Sequence, residues 1–252
     1  MNTLKKALAL TGVATLGAAT SLAHAADEHT LATKVSLFSE YEYRGITQTS
    51  EKPALQLNVD YSHSSGFYLG FFGTNIKWLK DYKDEGFVSK DAKVELDFFG
   101  GYKFEVVKDL TLDVGYLRYE YPNMKALPGL PKANTDEIYL GATYGPVTLK
   151  YSHSTSDLFG YFDSKGSTFI EANFSQEIAP KLTLVGNIGR QKIKNNEAYN
   201  YTVYKIGMNY DLGNGWTTGG YVKDTNAKSD LYTVKGKDWG KSRLVAFVSK
   251  SF

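Results

Sequence analysis

Strict alternation of apolar and polar residues, renewed from one end of the chain to the other, is the feature that most limits what this sequence can fold into. In Leu55-Gln56-Leu57-Asn58-Val59-Asp60-Tyr61-Ser62 every odd position is apolar and every even one polar. Successive side chains of a strand point to opposite faces, so the segment has a dry face and a wet one. The pattern returns in Val94 to Phe98, Leu110 to Val114, Val147 to Tyr151, Ile170 to Phe174 and Tyr204 to Tyr210. Helical periodicity appears nowhere at comparable length, and the predicted fold class is all-β.

Placed by this pattern, twelve strands fall at about 34–44, 55–63, 67–76, 92–105, 110–121, 135–144, 147–155, 168–177, 182–194, 201–212, 216–224 and 241–252. Their connections alternate in length. Short turns lie at Ser64-Ser65-Gly66, Val106 to Asp109, Gly145-Pro146, Ala179-Pro180-Lys181 and Gly213-Asn214-Gly215. Between them come mostly longer, charged connections at 45–54, 77–91, 122–134, 156–167 and 225–240. This alternation predicts a transmembrane up-and-down antiparallel β-barrel with short periplasmic turns and long extracellular loops. A soluble sandwich would bury aromatics too, but would not sort its loops by length at two ends. Candidate aromatic girdles are Tyr61, Phe67, Tyr102, Phe104, Tyr144, Phe174, Tyr210, Trp216 and Phe252 at the short-turn end. At the other end they are Tyr41, Tyr43, Trp78, Tyr119, Tyr121, Tyr151 and Tyr221.

Residues 1–25 have a basic start at Lys5 and Lys6, a weakly apolar run from Ala7 to Leu22, and Ala23 and Ala25 around His24. That is the layout of a cleaved signal peptide, leaving 26–252 as the barrel and placing it in the bacterial outer membrane. Removing the two lysines leaves 27 basic against 27 acidic residues, so no net positive field attracts nucleic acid. Past the leader no apolar run reaches the length of a membrane helix, the longest uncharged stretch being Ser64 to Ile76. With no cysteine, disulfide scaffolds, cysteine zinc sites and cysteine nucleophiles are excluded.

If the apolar faces meet lipid, the opposite faces line the interior. The pore-lining candidates are Glu40, Glu42, Arg44, Asp60, Lys93, Glu95, Asp97, Asp113, Glu137, Lys150, Glu171 and Lys205, joined by Lys103, with Gln56, Asn58, Asn173 and Asn209 among them. Barrels of about eight strands fill their interiors, whereas those of about 16–18 leave channels. Twelve stands between, and the expected function is a porin passing small hydrophilic solutes through a polar, mixed-charge lumen. Eight carboxylates against five basic residues favour cations. The alternatives are a closed structural or surface-interaction barrel whose charges pair across the lumen and, more remotely, a lipid-modifying enzyme. Tyrosines at the mouth could also hold an organic cation by cation–π attraction, although girdle duty explains the same rings.

The enzyme reading lacks its parts. His29 is placed ahead of the first strand, His63 at a short-turn end and His153 at a long-loop end. At about 3.3 Å per residue the two ends lie more than roughly 20 Å apart, so His63 and His153 share no metal and form no dyad. The repeated Tyr-Ser-His-Ser at 61–64 and 151–154 is then coincidence. His153 points outward while Ser152 and Ser154 point inward, and the flanking strand offers only Thr168 as a hydroxyl, so no triad assembles. The acidic stretch from Asp81 to Gly86 lacks EF-hand spacing. No catalytic residue, cofactor or metal is expected.

The stretch Tyr41-Glu42-Tyr43-Arg44-Gly45-Ile46-Thr47-Gln48-Thr49-Ser50-Glu51-Lys52-Pro53-Ala54-Leu55-Gln56, with Tyr61 and Gly66 to Gly70 after it, resembles the opening of the TorF-type porins of Gram-negative bacteria. Its most specific part is Arg-Gly-Ile-Thr-Gln-Thr at 44–49, and weaker similarity continues through 95–102, 110–122 and 137–154. The resemblance implies an outer-membrane barrel with a pore role and carries no catalytic or ligand residues. The C-terminal Arg243 to Phe252 resembles the signal by which outer-membrane barrels are recognised by their assembly machinery; Lys250 interrupts its apolar alternation and can snorkel to the headgroups. The expected partners are outer-membrane lipid and lipopolysaccharide, that assembly machinery and a small solute. Which face the last strand turns inward is left open by the pattern.

Overall fold

A computed structural model of the chain describes residues 28–252. The expected signal peptide and its cleavage site lie outside the described residues. The strands are β1 (His29–Phe38), β2 (Glu42–Tyr43), β3 (Ile46–Thr47), β4 (Ala54–His63), β5 (Phe67–Asn75), β6 (Val88–Lys90), β7 (Val94–Val107), β8 (Leu110–Glu120) and β9 (Lys125–Ala126). They continue as β10 (Thr135–Tyr144), β11 (Val147–Ser154), β12 (Thr168–Ala179), β13 (Leu182–Lys192), β14 (Tyr201–Gly213), β15 (Trp216–Thr225), β16 (Thr233–Val234), β17 (Lys237–Asp238) and β18 (Arg243–Ser251).

Twelve of these close a barrel in the order β1-β18-β15-β14-β13-β12-β11-β10-β8-β7-β5-β4, each antiparallel to its neighbours. The closing seam pairs β1 with both β4 (His29↔His63, Phe38↔Ala54) and β18 (Val35↔Lys250). Closure leaves no strand edge unpaired, which is what a backbone surrounded by hydrocarbon requires. The expected twelve-stranded barrel is the observed one, and β10 coincides with its predicted span residue for residue. Register shifts at Glu105/Val107, Glu177/Ala179 and Asp211/Gly213 all sit beside short turns, the usual place for bulges at a barrel rim. At the turn after β4, Gly66 takes a φ of +103°, and a Cβ there would lie 2.0 Å from the Lys103 carbonyl oxygen.

The outer wall is an apolar belt. Leu31, Leu55, Leu140, Ile170, Ile206 and Leu244 are all more than half exposed, far more apolar surface than a protein bathed in water presents. Its short-turn edge carries exposed Phe67, Tyr102, Tyr144, Tyr210 and Trp216, as expected of a girdle. The long-loop girdle is a correction. Tyr41, Trp78, Tyr119, Tyr121 and Tyr221 are buried inside the barrel or under its loops, and Tyr151 is the outward ring of that set. The reason is visible in β8. Near the short turn Asp113 points in and Leu112 and Val114 point out, but near the long loop Leu117 and Tyr119 are buried while Arg118 and Glu120 lie outside, Arg118 binding both Glu120 and Asp136.

The first strand is a second correction. It starts at His29, five residues before the expected position, and ends at Phe38, so 39–53 leave the wall. In β18 the inward residues are Val245, Phe247 and Ser249. Lys250 therefore faces out, with its Nζ 5.5 Å from the Trp216 ring centroid and bonded to the Asn214 carbonyl in the adjoining turn. The long loops carry α1 (Trp78–Asp84), α2 (Ser229–Tyr232) and the small sheets β6–β9 and β16–β17. They converge over one mouth through ring contacts such as Trp78–Tyr121 (5.3 Å) and Tyr82–Trp239 (5.3 Å), and through the ion pair Lys235–Asp84 (2.6 Å).

Candidate functional site

The segment 39–53 turns into the barrel at Ser39, whose amide and hydroxyl both bond Ala246 of β18. It then forms a hairpin, β2–β3, across Arg44-Gly45. Both turn residues have positive φ (48° and 82°), the condition of a tight type I′ turn, and glycine meets it at the second position without strain. The hairpin spans the lumen. It leaves from the β1–β4 side, and its tip binds the opposite wall.

There the Arg44 guanidinium donates to both Glu137 carboxylate oxygens (3.0 and 2.7 Å) and to Gln191 Oε1 (2.9 Å), from β10 and β13. Its plane lies over Phe169 of β12, 4.4 Å from the ring centroid. The Tyr43 and Tyr119 hydroxyls bond each other, and Tyr119 also donates to Glu137. On the flank, Glu42 pairs with Lys205 Nζ, and Lys223 Nζ donates to the carbonyls of Gly45 (2.8 Å) and Trp239 (3.2 Å). Tyr41 and Tyr121 donate to the two oxygens of Glu95, each at 2.6 Å. Bidentate and charge-assisted bonds in a buried setting fix geometry strongly, and removing one partner strands the other.

Between the hairpin and the converging loops lies a cavity of about 80 Å³, walled by Tyr43, Arg44, Trp78, Tyr161, Tyr232 and Trp239 among others. Aromatic faces with one guanidinium suit the flat apolar side of a small hydrophilic molecule.

Toward the short turns the lumen changes character. Asp113 accepts from Tyr68 (2.6 Å) and lies 3.9 Å from Lys103. Lys150 sits in register with Glu171 and places its Nζ 3.9 Å from the Tyr139 ring centroid. Asn187 links Glu171 and Asn173, at 2.8 Å each. Tyr139 fits because β8 offers Gly115 beneath it, where a Cβ would come within 2.3 Å of the ring. On the β4 and β7 side, both oxygens of Asp97, both side-chain polar atoms of Gln56, Asn58 Oδ1 and Asp60 Oδ1 have no hydrogen-bond partner among the described residues.

Of the expected lining residues, Glu95, Asp97, Asp113, Glu137, Lys150, Glu171 and Lys205 lie on inward faces of the wall, as does Asp60. Glu40, Glu42 and Arg44 stand not on the wall but on the crossing segment. Lys93 lies just ahead of β7, exposed at the long-loop rim. Sequence reasoning missed Lys223, which is fully buried, and the inward role of the mouth tyrosines. The alternation Tyr221-Val222-Lys223, with Val222 outward, carries the signal for Lys223.

The family model described as "Bacterial protein of unknown function (Gcw_chp)" matches residues 22–252. That description assigns no pore role and makes no reference to TorF-type porins. No curated protein matches the sequence. Among solved structures the chain is similar to the NanC porin, with TM-score 0.57, 12% identity, and coverage of 88% of this chain and 99% of that one. It is also similar to the KdgM porin, with TM-score 0.56, 10% identity, and coverage of 88% and 99%. At such identities the likeness is one of fold.

Proposed function

We propose that this chain, which belongs to the Gcw_chp family of bacterial proteins of unknown function, is an outer-membrane channel for small hydrophilic solutes, restricted by the β2–β3 hairpin across its lumen. The observation that carries the reading is the stretch of unpartnered buried polar atoms beside the hairpin, at Gln56, Asn58 and Asp97. Buried polar groups take hydrogen-bond partners, so these favour a lumen in which water and solute supply them. The apolar belt meets lipid, the short turns face the periplasm, and the chain reaches that membrane by export and through its C-terminal segment.

Planar-bilayer recording of the refolded protein tests this. Wild type gives small or infrequent conductance steps, and Arg44→Ala, which strands Glu137, raises conductance or open time severalfold. A second reading, a closed structural barrel, is favoured by the density of bonds holding the hairpin. Silence from folded, inserted wild type and Arg44→Ala alike would establish that reading and end the first.

A further inference from the structure

Outside the lumen, one cluster of ligating side chains has no part in the channel reading. His29 opens β1 and lies directly across from His63, the last residue of β4, with their ring centroids 5.0 Å apart. Both share the outward parity of Leu31 and Leu55, so they sit on the outer wall at the short-turn rim. Glu28 is brought to the same place because its carbonyl accepts the Ser64 amide (2.9 Å). One ligand atom from each of Glu28, His29 and His63 lies within 4.8 Å of the other two.

We propose that Glu28, His29 and His63 bind a divalent transition-metal ion of the zinc class. Two imidazole nitrogens and one carboxylate oxygen suit zinc, nickel or copper, whereas calcium and magnesium call for all-oxygen shells. Tetrahedral zinc with bonds of about 2.0–2.1 Å separates its ligand atoms by about 3.3 Å. Glu28 Oε1 already lies 3.4 Å from His63 Nε2, so the remaining approach falls to the exposed His29 ring, which turns toward the other two ligands.

The neighbouring bonds support this use of the rings. Tyr61 OH lies 2.8 Å from His29 Nδ1, so with that nitrogen protonated and donating to the phenol oxygen, Nε2 is left as a ligand. Ser65 Oγ lies 2.8 Å from His63 Nδ1, which also accepts the Ser65 amide at 3.1 Å, while His63 Nε2 faces Glu28 Oε1 at 3.4 Å. Metal uptake at His63 therefore exchanges the Nε2 proton for the ion. Nδ1 gains a proton and donates it to Ser65 Oγ, and the exposed Ser65 amide turns to water. The ring's proton count is unchanged, and Glu28 supplies the negative charge. The ion would fasten the start of β1 to the β4–β5 turn at the barrel's closing seam.

The test is calorimetric titration of zinc chloride into untagged protein refolded in detergent micelles, with calcium chloride as contrast. One zinc per chain is expected, with no calcium heat. His29→Ala and His63→Ala should each weaken zinc at least tenfold, and Glu28→Gln should weaken it less. His153→Ala, at the far end of the barrel, should leave it unchanged. Cobalt substitution should give the visible absorption of a tetrahedral site in wild type and lose it in both histidine variants, each checked for barrel folding by heat-modified gel mobility. Absence of zinc binding, binding that survives both histidine substitutions, or equal loss in His153→Ala would overturn the proposal.

Discussion

The two halves of the lumen are built from the same strands and solve opposite problems. In the long-loop half the inward residues are buried: Glu95, Asp97, Glu137, Tyr119, Gln191 and Lys223 lie beneath or against the hairpin and the loops above it. In the short-turn half Lys103 of β7 and Asp113 of β8, with Lys150 and Glu171 of the adjacent β11 and β12, are partly open and interact in looser pairs. A barrel of twelve strands is therefore neither filled throughout nor hollow throughout. One segment of fifteen residues, 39–53, decides where it closes. If the barrel conducts as proposed, the resistance to flow lies in the hairpin's bonds, and the wall contributes the surroundings.

The most damaging way to break the contrast is Arg44→Ala. It removes two bonds to Glu137 and one to Gln191 and leaves a buried carboxylate without its cation, a loss of about 3–5 kcal/mol for a pair of this kind. Denaturant unfolding in micelles should show a lowered midpoint, and conductance should rise as the long-loop half comes to resemble the short-turn half. Lys223→Met comes next. Its ammonium ties the hairpin carbonyl of Gly45 to the Trp239 carbonyl of the last long loop, and bonds from a charged donor contribute about 1.5–3 kcal/mol. Protease cleavage within 226–242 should quicken while the wall stays protected. An unchanged cleavage rate would mean that the aromatic contacts alone hold that loop.

Asp97→Asn sharpens the comparison without disturbing the fold. Among the described residues both Asp97 oxygens lack a hydrogen-bond partner, so an amide of the same shape should leave stability nearly unchanged. If the ion path passes this side chain, reversal potentials under a salt gradient should move toward anions. An unmoved reversal potential would place the path elsewhere in the lumen.

What the sequence made legible, and what it did not, divides along the same line. The barrel follows from period two and loop sorting, and the inward carboxylates of β7, β10 and β12 follow from parity. The hairpin escaped because Val35, Leu37, Tyr41 and Tyr43 keep one parity, so the alternation runs past Phe38 as though the wall continued. A strand in the wall and a strand across the lumen share a period. The turn chemistry of Arg44-Gly45 was the available sign of a hairpin, and it lies within the stretch that resembles the TorF-type porins. The mouth tyrosines escaped because each strand was read as having one dry face from end to end. In β8 the dry face changes sides: Leu112 and Val114 point outward near the short turn, whereas Leu117 and Tyr119 point inward, where packed loops fill the barrel. His29 escaped because the strand was begun at 34, although the parity of Leu31 and Val35 extends back to it.

The smallest effect belongs to an exposed contact between two of the long loops. Lys235 and then Lys80 hydrogen-bond the exposed Asp84 and hold its carboxyl down to about 2, below the ordinary carboxylate range. A depressed carboxyl contributes its tie above the unfolded value and loses it as pH falls through the folded one. Acidification from pH 7 to pH 4 should therefore leave this tie between two long loops intact, and recordings at the two pH values should show the same loop-dependent flicker. Exposed pairs contribute little and are screened by salt, so Lys235→Ala should alter flicker only at low ionic strength. A large change at physiological salt would mean that the outermost loop layer restricts flow alongside the hairpin, and the division between the two halves would have to be moved outward.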